Sequence, residues 1–500
     1  MDPHPDVSAG ARTRLVSLAS EPALAFLPEV AALFPEAEWF VVGGAVRDAV
    51  IGRSGGRKDV DLVVRGIGLE ELSRALSARG DVNLVGRTFG VMKFRPAGSD
   101  SEIDIAWPRT ERAGMSGGYR DFAVQADPEL PIERDLARRD FTMNAVAYAL
   151  GSGAVVDPYG GLADIAAKTV RAVGAPSVRF AEDHSRMLRA VRFACELGFA
   201  VEGGTWDALR SRMPHLDDVR EIDGGVERVV PYETAAKEFV KAMAADPARA
   251  VDLFSRAGAL ARLIPELSPL RSCAQPPDHH SEGDAWTHTT LALSKLAGPE
   301  FAGLFPGEAV SAETAIAVLL HDVAKPHTSE VRDGRITFYG HAERGAAIAE
   351  AVASRLRLSS AGIDVARLGW LVRNHLFPNL VDLDGVRMTT LRKYFLDDPV
   401  AGRSLLHLAC ADAAASLRPD GSADLTTLAR LLDVLRGMAA RAPEERKPLL
   451  SGDEVMSLAG IGPGPEIGRL LEALGEAQLR GEISSAEEAA LLIRAMNTAD

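Results

Sequence analysis

Five hundred residues at 47% hydrophobic composition exceed what a single core holds, so several domains are expected. A formal net charge of −14 argues against a general nucleic-acid coat, yet leaves room for a local basic groove. Cys195, Cys273 and Cys410 show no metal or redox spacing and no apolar run reaches membrane-spanning length, which argues against a disulfide scaffold and a bilayer span. The opening MDPHPDVSAG lacks the basic and apolar parts of a secretory signal, so a cytoplasmic protein with no membrane partner is expected.

Before about Trp39 the pattern predicts helix: SEPALAFLPEVAALFPE spaces its apolar residues helically, and Ser20 and Glu21 suit a start. From Trp39 to Pro108 short strands take over. They are WFVV, DVDLVV, VNLV, GVMKFRP and EIDIAW, with helical LEELSRALSAR between the second and third. That mix predicts a small mixed α/β domain. Residues 109–133 are polar and Gly-rich (RTERAGMSGGYRDF) and predict a mobile loop. After Arg134 nearly everything predicts helix, with Gly and Pro punctuation near 157–161, 174–176, 203–204, 262–278 and 419–422.

Within KDVDLVVR, Val60, Leu62 and Val64 share one strand face, leaving Asp59, Asp61 and Val63 on the other. Two carboxylates side by side repel, and a strand gains nothing from them structurally. Upstream, WFVVGGAVRDAVIG ends a buried strand in Gly43-Gly44 and starts a helix with Arg47 on its first turn. Glycines admit close backbone approach, helix-start N–H groups favour phosphate, and Arg47 adds a positive fork. Paired carboxylates facing such a cradle suit two Mg²⁺ ions about 3.5–4 Å apart. Asp104, between Ile103 and Ile105 and so facing away from them, is a third catalytic candidate.

These residues resemble the DNA polymerase beta-like nucleotidyltransferase superfamily. RRDFTMNAVAY (138–148), VDPYGGLADI (156–165) and EDHSRMLRAVRFACELGF (182–199) narrow the resemblance to bacterial class II tRNA CCA-adding enzymes and their poly(A) polymerase relatives. It covers residues 37–260. One departure, GRSGGRK before Asp59, lengthens the Gly-to-Asp spacing and should only extend a surface loop.

EDHSRMLRAVRFA sets Asp183, Arg186, Arg189 and Arg192 at three-residue steps, one helical stripe. Three arginines in file repel unless an anion sits between them. Asp only accepts hydrogen bonds and Arg only donates them. Side by side, Asp183 and Arg186 suit an exocyclic amine next to an unprotonated ring nitrogen, the edge of cytosine and adenine. The resemblance implies this base-reading role for Asp183 and Arg186, with Arg189, Arg192 and Arg139 at or beside the phosphates.

In the second half, AIAVLLHDVAKPHT carries His321-Asp322, and His288, His341, His375 and Asp412 follow the same apolar helical setting. Imidazole with carboxylate suits divalent transition metals. The order resembles the HD phosphohydrolase superfamily, which implies one metal on His288, His321, Asp322 and Asp412. His341 and His375 would complete a second metal or bind phosphate. His4, His184, His215, His279, His280, His327 and His407 lack such a pattern and are read as structural or surface.

The resemblances imply an α+β chain: a polymerase beta-like head with a small mixed sheet, then all-helical neck, body and HD parts. The expected division is a helical extension (1–36), head (37–150), neck (151–270), HD domain (276–420) and C-terminal helices (421–500). The implied activity is CCA addition to tRNA from CTP and ATP with Mg²⁺ in the head. A divalent transition metal and a phosphohydrolase activity are implied in the HD domain. Rivals are CC-only or A-only addition and a poly(A) polymerase, the last disfavoured by the acidic C-terminal EISSAEEAALLIRAMNTAD. From another class comes an RNA-binding HD phosphohydrolase with a silent head, against which the full carboxylate and arginine sets speak.

Overall fold

The structure, a computed structural model, describes residues 8–53, 60–84, 90–113, 118, 122–222, 224–440 and 448–497. The chain divides into two compact units, Met1–Leu263 and Ile264–Asp500.

The first unit contains β1 (Glu38–Val42), β2 (Asp61–Arg65), β3 (Gly80–Leu84), β4 (Val91–Pro96) and β5 (Ile103–Ala106). It continues with β6 (Arg109–Ala113), β7 (Phe122–Ala126), β8 (Ala147–Ala149) and β9 (Val155–Val156). Seven of these form one sheet in the order β3-β4-β5-β2-β1-β8-β9. Within it β2 and β5 run parallel with Asp61 opposite Asp104, while the other paired neighbours are antiparallel.

Alternation sorts the side chains. Trp39, Val41, Val60, Leu62, Val64, Ile103 and Ile105 point into one core with Leu15, Leu18, Phe94 and Trp107. Phe40, Val42 and Val63 point to the other face, against Ile132, Leu136, Ala145 and Val173. Val63 shares its face with Asp61, as the period of two requires. A side chain of the Leu62 type, fully buried, contributes about 1.5–3 kcal/mol, so slipping β2 by one residue would forfeit several such terms and expose the apolar row.

Three expectations need correction. The predicted N-terminal helix is broken: a helix Ala9–Leu18 comes first, then a 3₁₀ turn Pro22–Leu24 and a short helix Leu27–Leu33. Pro22 and Pro28 each stand in a first turn, where a missing N–H is tolerated, and so punctuate the run. Residues 109–133 are not simply a loop, because β6 and β7 pair antiparallel over Arg109–Ala113 and Phe122–Ala126. The chain after Arg134 is less purely helical than expected. β8 and β9 complete the head sheet, and short pairs join Thr169–Val170 to Ala200–Val201 and Val219–Ile222 to Gly225–Arg228. Strands of two to four residues are too short to carry a readable period.

The second unit is helical apart from the hairpin Glu330–Arg332 with Arg335–Thr337. Its helices Ala285–Lys295, Ala312–Leu320, His341–Arg355, Val365–Asn374 and Pro399–Ala415 pack around Leu293, Ile316, Leu319, Val352, Leu371 and Leu405. A separate apolar cluster, centred on Val455, Leu474, Ile483 and Ile493, holds the C-terminal helices. Among the described residues no single helix is long and apolar enough to cross a membrane; the bent pair spanning 9–18 and 22–33 passes only by length and composition.

Candidate active sites

β1 is followed by Gly43, whose N–H donates to the Val146 carbonyl (3.2 Å) as the chain turns into the helix Gly44–Ile51. Gly43 has φ of +71°, and a Cβ there would stand 2.7 Å from Arg139 Nη1. The positive φ favours glycine, and the Arg139 tip would have to shift to admit a side chain. Arg47 is 7% exposed. Its Nη1 donates to Asn144 Oδ1 (2.7 Å) and its Nε to Asp48 Oδ1 (3.0 Å). Arg139 donates through Nη2 to Asp135 Oδ2 (3.1 Å).

Together with Asp61 and Asp104, these groups line a cavity of about 710 Å³ that also takes in Asp140, Asp183, Arg186 and Arg189. Parallel pairing sets Asp61 and Asp104 at the same level on adjacent strands. On the other side of Asp104, Lys93 stands opposite in β4, its Nζ 3.1 Å from Asp104 Oδ1 and 2.7 Å from Glu102 Oε1. Those two carboxylates push the Lys93 ammonium up to about 12. Asp59 lies outside the described residues.

On the helix Ser185–Leu197 the protein itself supplies the anions that the arginine file requires. Arg186 Nη1 donates to Glu182 Oε2 (2.8 Å) and its Nη2 to the Arg138 carbonyl (3.3 Å). Arg189 binds Asp140, at 2.6 Å through Nη2 and 2.8 Å through Nε. Arg192 binds Glu238 (2.5 Å) and Glu196 (2.7 Å), and lies 3.9 Å from the Phe193 ring centroid. Arg192 is thus buried beside the cavity and absent from its lining. Asp183 Oδ1 accepts from the Ser185 N–H (2.8 Å) and hydroxyl (2.6 Å), while Oδ2 stands 3.9 Å from Arg186 Nε. The acceptor and donor therefore lie side by side.

Sequence reasoning passed over Glu182, Asp140 and Glu238. Glu182 and Asp140 were legible only as carboxylates near an arginine, a pairing too common to single out, and Glu238 reaches Arg192 from another helix. Asp140 is buried, which opposes its charge. Arg189 and the Asn144 amide outweigh that and hold its carboxyl below the usual range.

In the second unit the six residues predicted from the HD pattern come together. Asp322 is central: Oδ2 lies 3.1 Å from His321 Nε2 and 3.9 Å from His288 Nε2. Its Oδ1 lies 3.5 Å from His341 Nε2 and 3.9 Å from His375 Nε2. Asp412 Oδ1 stands 3.1 Å from His288 Nε2 and 3.7 Å from His321 Nε2. Every histidine is anchored through Nδ1: His321 on the Val318 carbonyl, His341 on Phe338, His375 on Val372 and His288 on the Glu282 carboxylate. Carbonyls and carboxylates accept, so Nδ1 carries a proton in each ring, and an ion bound at Nε2 would take the place of any proton there.

Two residues here were missed. Glu282, in HHSEGD, accepts from His280 (2.7 Å) and His288 (2.8 Å) and from the Leu417 N–H (3.0 Å). Lys325, three residues after Asp322, places Nζ 2.7 Å from Asp322 Oδ2 and donates to Gln275 Oε1 (2.6 Å). His279 and His280, read as structural or surface, line the same cavity of about 720 Å³. Burial opposes the charge on His288, but hydrogen bonds to Asp412 and Glu282 win and push it up to about 9. Burial and the nearby His321 pull His375 down to about 4.

The donor set suits metal. His288, His321 and Asp412 form one group, and Asp322, His341 and His375 another, with ligand atoms within 4.8 Å of one another in each. His321 Nε2 and Asp322 Oδ2 are buried without a well-formed hydrogen bond, even though Lys325 stands close to the latter. Such orphaned atoms are costly unless a cation satisfies them.

Both halves of the chain match known families. Residues 39–171 match the poly A polymerase head domain and residues 287–417 the HD domain. The chain is 39% identical to a multifunctional CCA protein of Halorhodospira halophila, over 66% of this chain and 72% of that one. It is 33% identical to a CC-adding tRNA nucleotidyltransferase of Thermus thermophilus, over 90% and 92%. An A-adding tRNA nucleotidyltransferase of Deinococcus radiodurans is 34% identical, over 78% and 85%. In fold it resembles a Bacillus stearothermophilus CCA-adding enzyme crystallised with CTP (TM-score 0.61, 22% identity, 96% and 98% covered). A Thermotoga maritima CCA-adding enzyme complexed with tRNA gives a TM-score of 0.60 at 18% identity, with 97% and 98% covered. With its head, arginine helix and HD motif in one order and its relatives matched over most of their length, the chain belongs to the tRNA nucleotidyltransferase family.

Proposed function

We propose that the chain extends the 3′ end of tRNA with C, C and A from CTP and ATP, without a nucleic-acid template. The observation that carries this reading is the Asp183–Arg186 pair beside the Asp61–Asp104 carboxylates in one cavity. The relatives' names support it, although those names divide among full CCA, CC-only and A-only addition. We keep the five-part domain division and a cytoplasmic setting as readings from the sequence.

The residues fit hard cations: Asp61 and Asp104, with Asp59, would hold Mg²⁺, which when bound neutralises charge on attacking and leaving oxygens. Arg47, Arg139 and the backbone after Gly43 bind the triphosphate and set the α-phosphorus in line with the tRNA hydroxyl. Asp183 accepts from the base amine and Arg186 donates to the ring nitrogen. Glu182 and the Arg138 carbonyl hold the guanidinium in place meanwhile. Arg189 orders Asp140 at the cavity wall and stands beside the phosphates; Arg192 acts from behind, through Glu238.

The test is incubation with tRNA lacking its CCA end and each labelled NTP singly, then CTP with ATP. Full addition is expected from the mixture, and C alone from CTP. Products ending at CC or starting only from CC would move the chain to a rival activity. In the same assay Asp183→Ala should lower discrimination against UTP and GTP by about 1–3 kcal/mol, the worth of a good bidentate base contact. Arg189→Ala should slow all nucleotides alike, because a phosphate contact carries no base information. Strict C and A selectivity in Asp183→Ala would move base choice elsewhere.

The orphaned His321 Nε2 favours a second reading for the other unit, a metal-dependent phosphohydrolase centre. His288, His321, Asp322 and Asp412 would hold a divalent transition metal, and His341 and His375 a second metal or a phosphate. Asp322 faces both groups, so Asp322→Ala should remove nearly all transition metal retained by this unit together with any phosphomonoester or cyclic phosphate hydrolysis. Metal analysis after dialysis reads this directly; unchanged metal content would refute the centre.

A further inference from the structure

The nucleotide-addition reading has no use for His184 or His215, yet the fold brings them together. His184 is 4% exposed at the junction of the helices Pro176–Glu182 and Ser185–Leu197. Its Nδ1 donates to the Phe180 carbonyl at 2.7 Å, so Nε2 carries the lone pair. His215, in the 3₁₀ turn Met213–Asp217, stacks on it with ring centroids 5.5 Å apart and planes 28° apart. His215 Nδ1 lies 2.8 Å from Asp218 Oδ2, so these two atoms face each other, and an ion between them would take the place of the proton they share. One nitrogen of each ring and one oxygen of Asp218 all lie within 4.8 Å of one another.

The turn is braced. Arg228 (3.1 Å) and Arg262 (2.8 Å) both hold Asp217, Arg228 Nη2 also donates to the Leu216 carbonyl (3.0 Å), and the Asp218 carbonyl accepts from the Val229 N–H (2.8 Å). The side chains of His215 and Asp218 are each 45% exposed, so an ion can enter and keep water in a remaining position.

We infer that His184, His215 and Asp218 form a second-class metal site in the first unit, taking a borderline divalent ion of which zinc is the best match. Two imidazoles and a carboxylate are the zinc donor set, with one open position. His184 follows Asp183 directly, so a bound ion would stiffen the helix junction that carries the base-reading carboxylate.

The test is zinc binding by the full chain in excess Mg²⁺, measured by calorimetry and by metal analysis. His215→Ala and Asp218→Asn, both at half-exposed positions, should each bind one zinc fewer than wild type or bind it at least about tenfold more weakly. Circular dichroism checks the fold. In a His321→Ala and Asp322→Ala background, which removes ligands of the other unit, one zinc equivalent should remain and respond to the same substitutions. Replacing zinc by Co²⁺ should give the intense visible bands of a four-coordinate site, absent in His215→Ala. Equal zinc stoichiometry and affinity in wild type, His215→Ala and Asp218→Asn would overturn the site.

Discussion

Asp61→Ala should lower the rate of nucleotide addition by at least about 10²–10³-fold, the usual loss when one preorganised charge-stabilising group is removed from a reaction centre. Asp61 opens β2, is exposed, and shares its level with Asp104 on the parallel neighbour. Its position is exposed, so deleting the carboxylate should cost little stability beside the loss of rate. Folding should therefore survive while chemistry does not. Asp61→Asn keeps the shape and loses the charge, and should be nearly as inactive. Single-turnover incorporation of labelled CTP in Mg²⁺, alongside urea denaturation, separates the two effects. Addition at the wild-type rate in either variant would remove Asp61 from the metal set.

Asp140→Ala is expected to destabilise the first unit by about 3–5 kcal/mol, the range for breaking a buried charge pair. The carboxylate is 8% exposed and gathers Arg189, the Asn144 amide (3.1 Å) and the Phe141 N–H (2.8 Å). Asn144 in turn holds Arg47, so one deletion loosens two cavity arginines. Arg189 is about a third exposed and rehydrates when released, which places the loss toward the lower end of the range. The pH dependence has a definite sign. Because its folded pKa is depressed, Asp140 stabilises the protein fully above its unfolded value near 4, and the contribution fades as pH falls below that. Urea denaturation at pH 7 and pH 3 should show a wild-type loss on acidification that shrinks in Asp140→Ala. Equal loss in both proteins would assign the acid sensitivity to other carboxylates.

The strands and the opposition of two faces were readable because hydrophobic alternation is local. Val60, Leu62 and Val64 alternate with Asp61 in the sequence and do so in the sheet. The clustering of the HD-pattern residues was readable too, since histidine is rare and each stood in an apolar helical run. The partners were not readable. Glu282 reaches His288 across a turn, and Glu238 reaches Arg192 from another helix, contacts that tertiary packing sets and no spacing encodes. The arginine file misled in one respect. Its mutual repulsion pointed to a bound anion, whereas Asp140, Glu182, Glu196 and Glu238 satisfy most of it. The β6–β7 hairpin escaped because its turn chemistry is hidden in a Gly-rich polar stretch.

The parallel pairing of β2 with β5 has a kinetic side. Antiparallel neighbours can zip from a turn, but a parallel pair must wait for a crossover, here the helix Leu69–Ser77 and the β3–β4 pair. Loop closure of that span comes before any reward from the pairing, so the contact belongs to the slow, non-local class. Asp61 and Asp104 therefore meet only once this span has closed. A chain in which the crossover is open lacks the paired carboxylates. Catalytic competence becomes a report that the crossover has closed correctly.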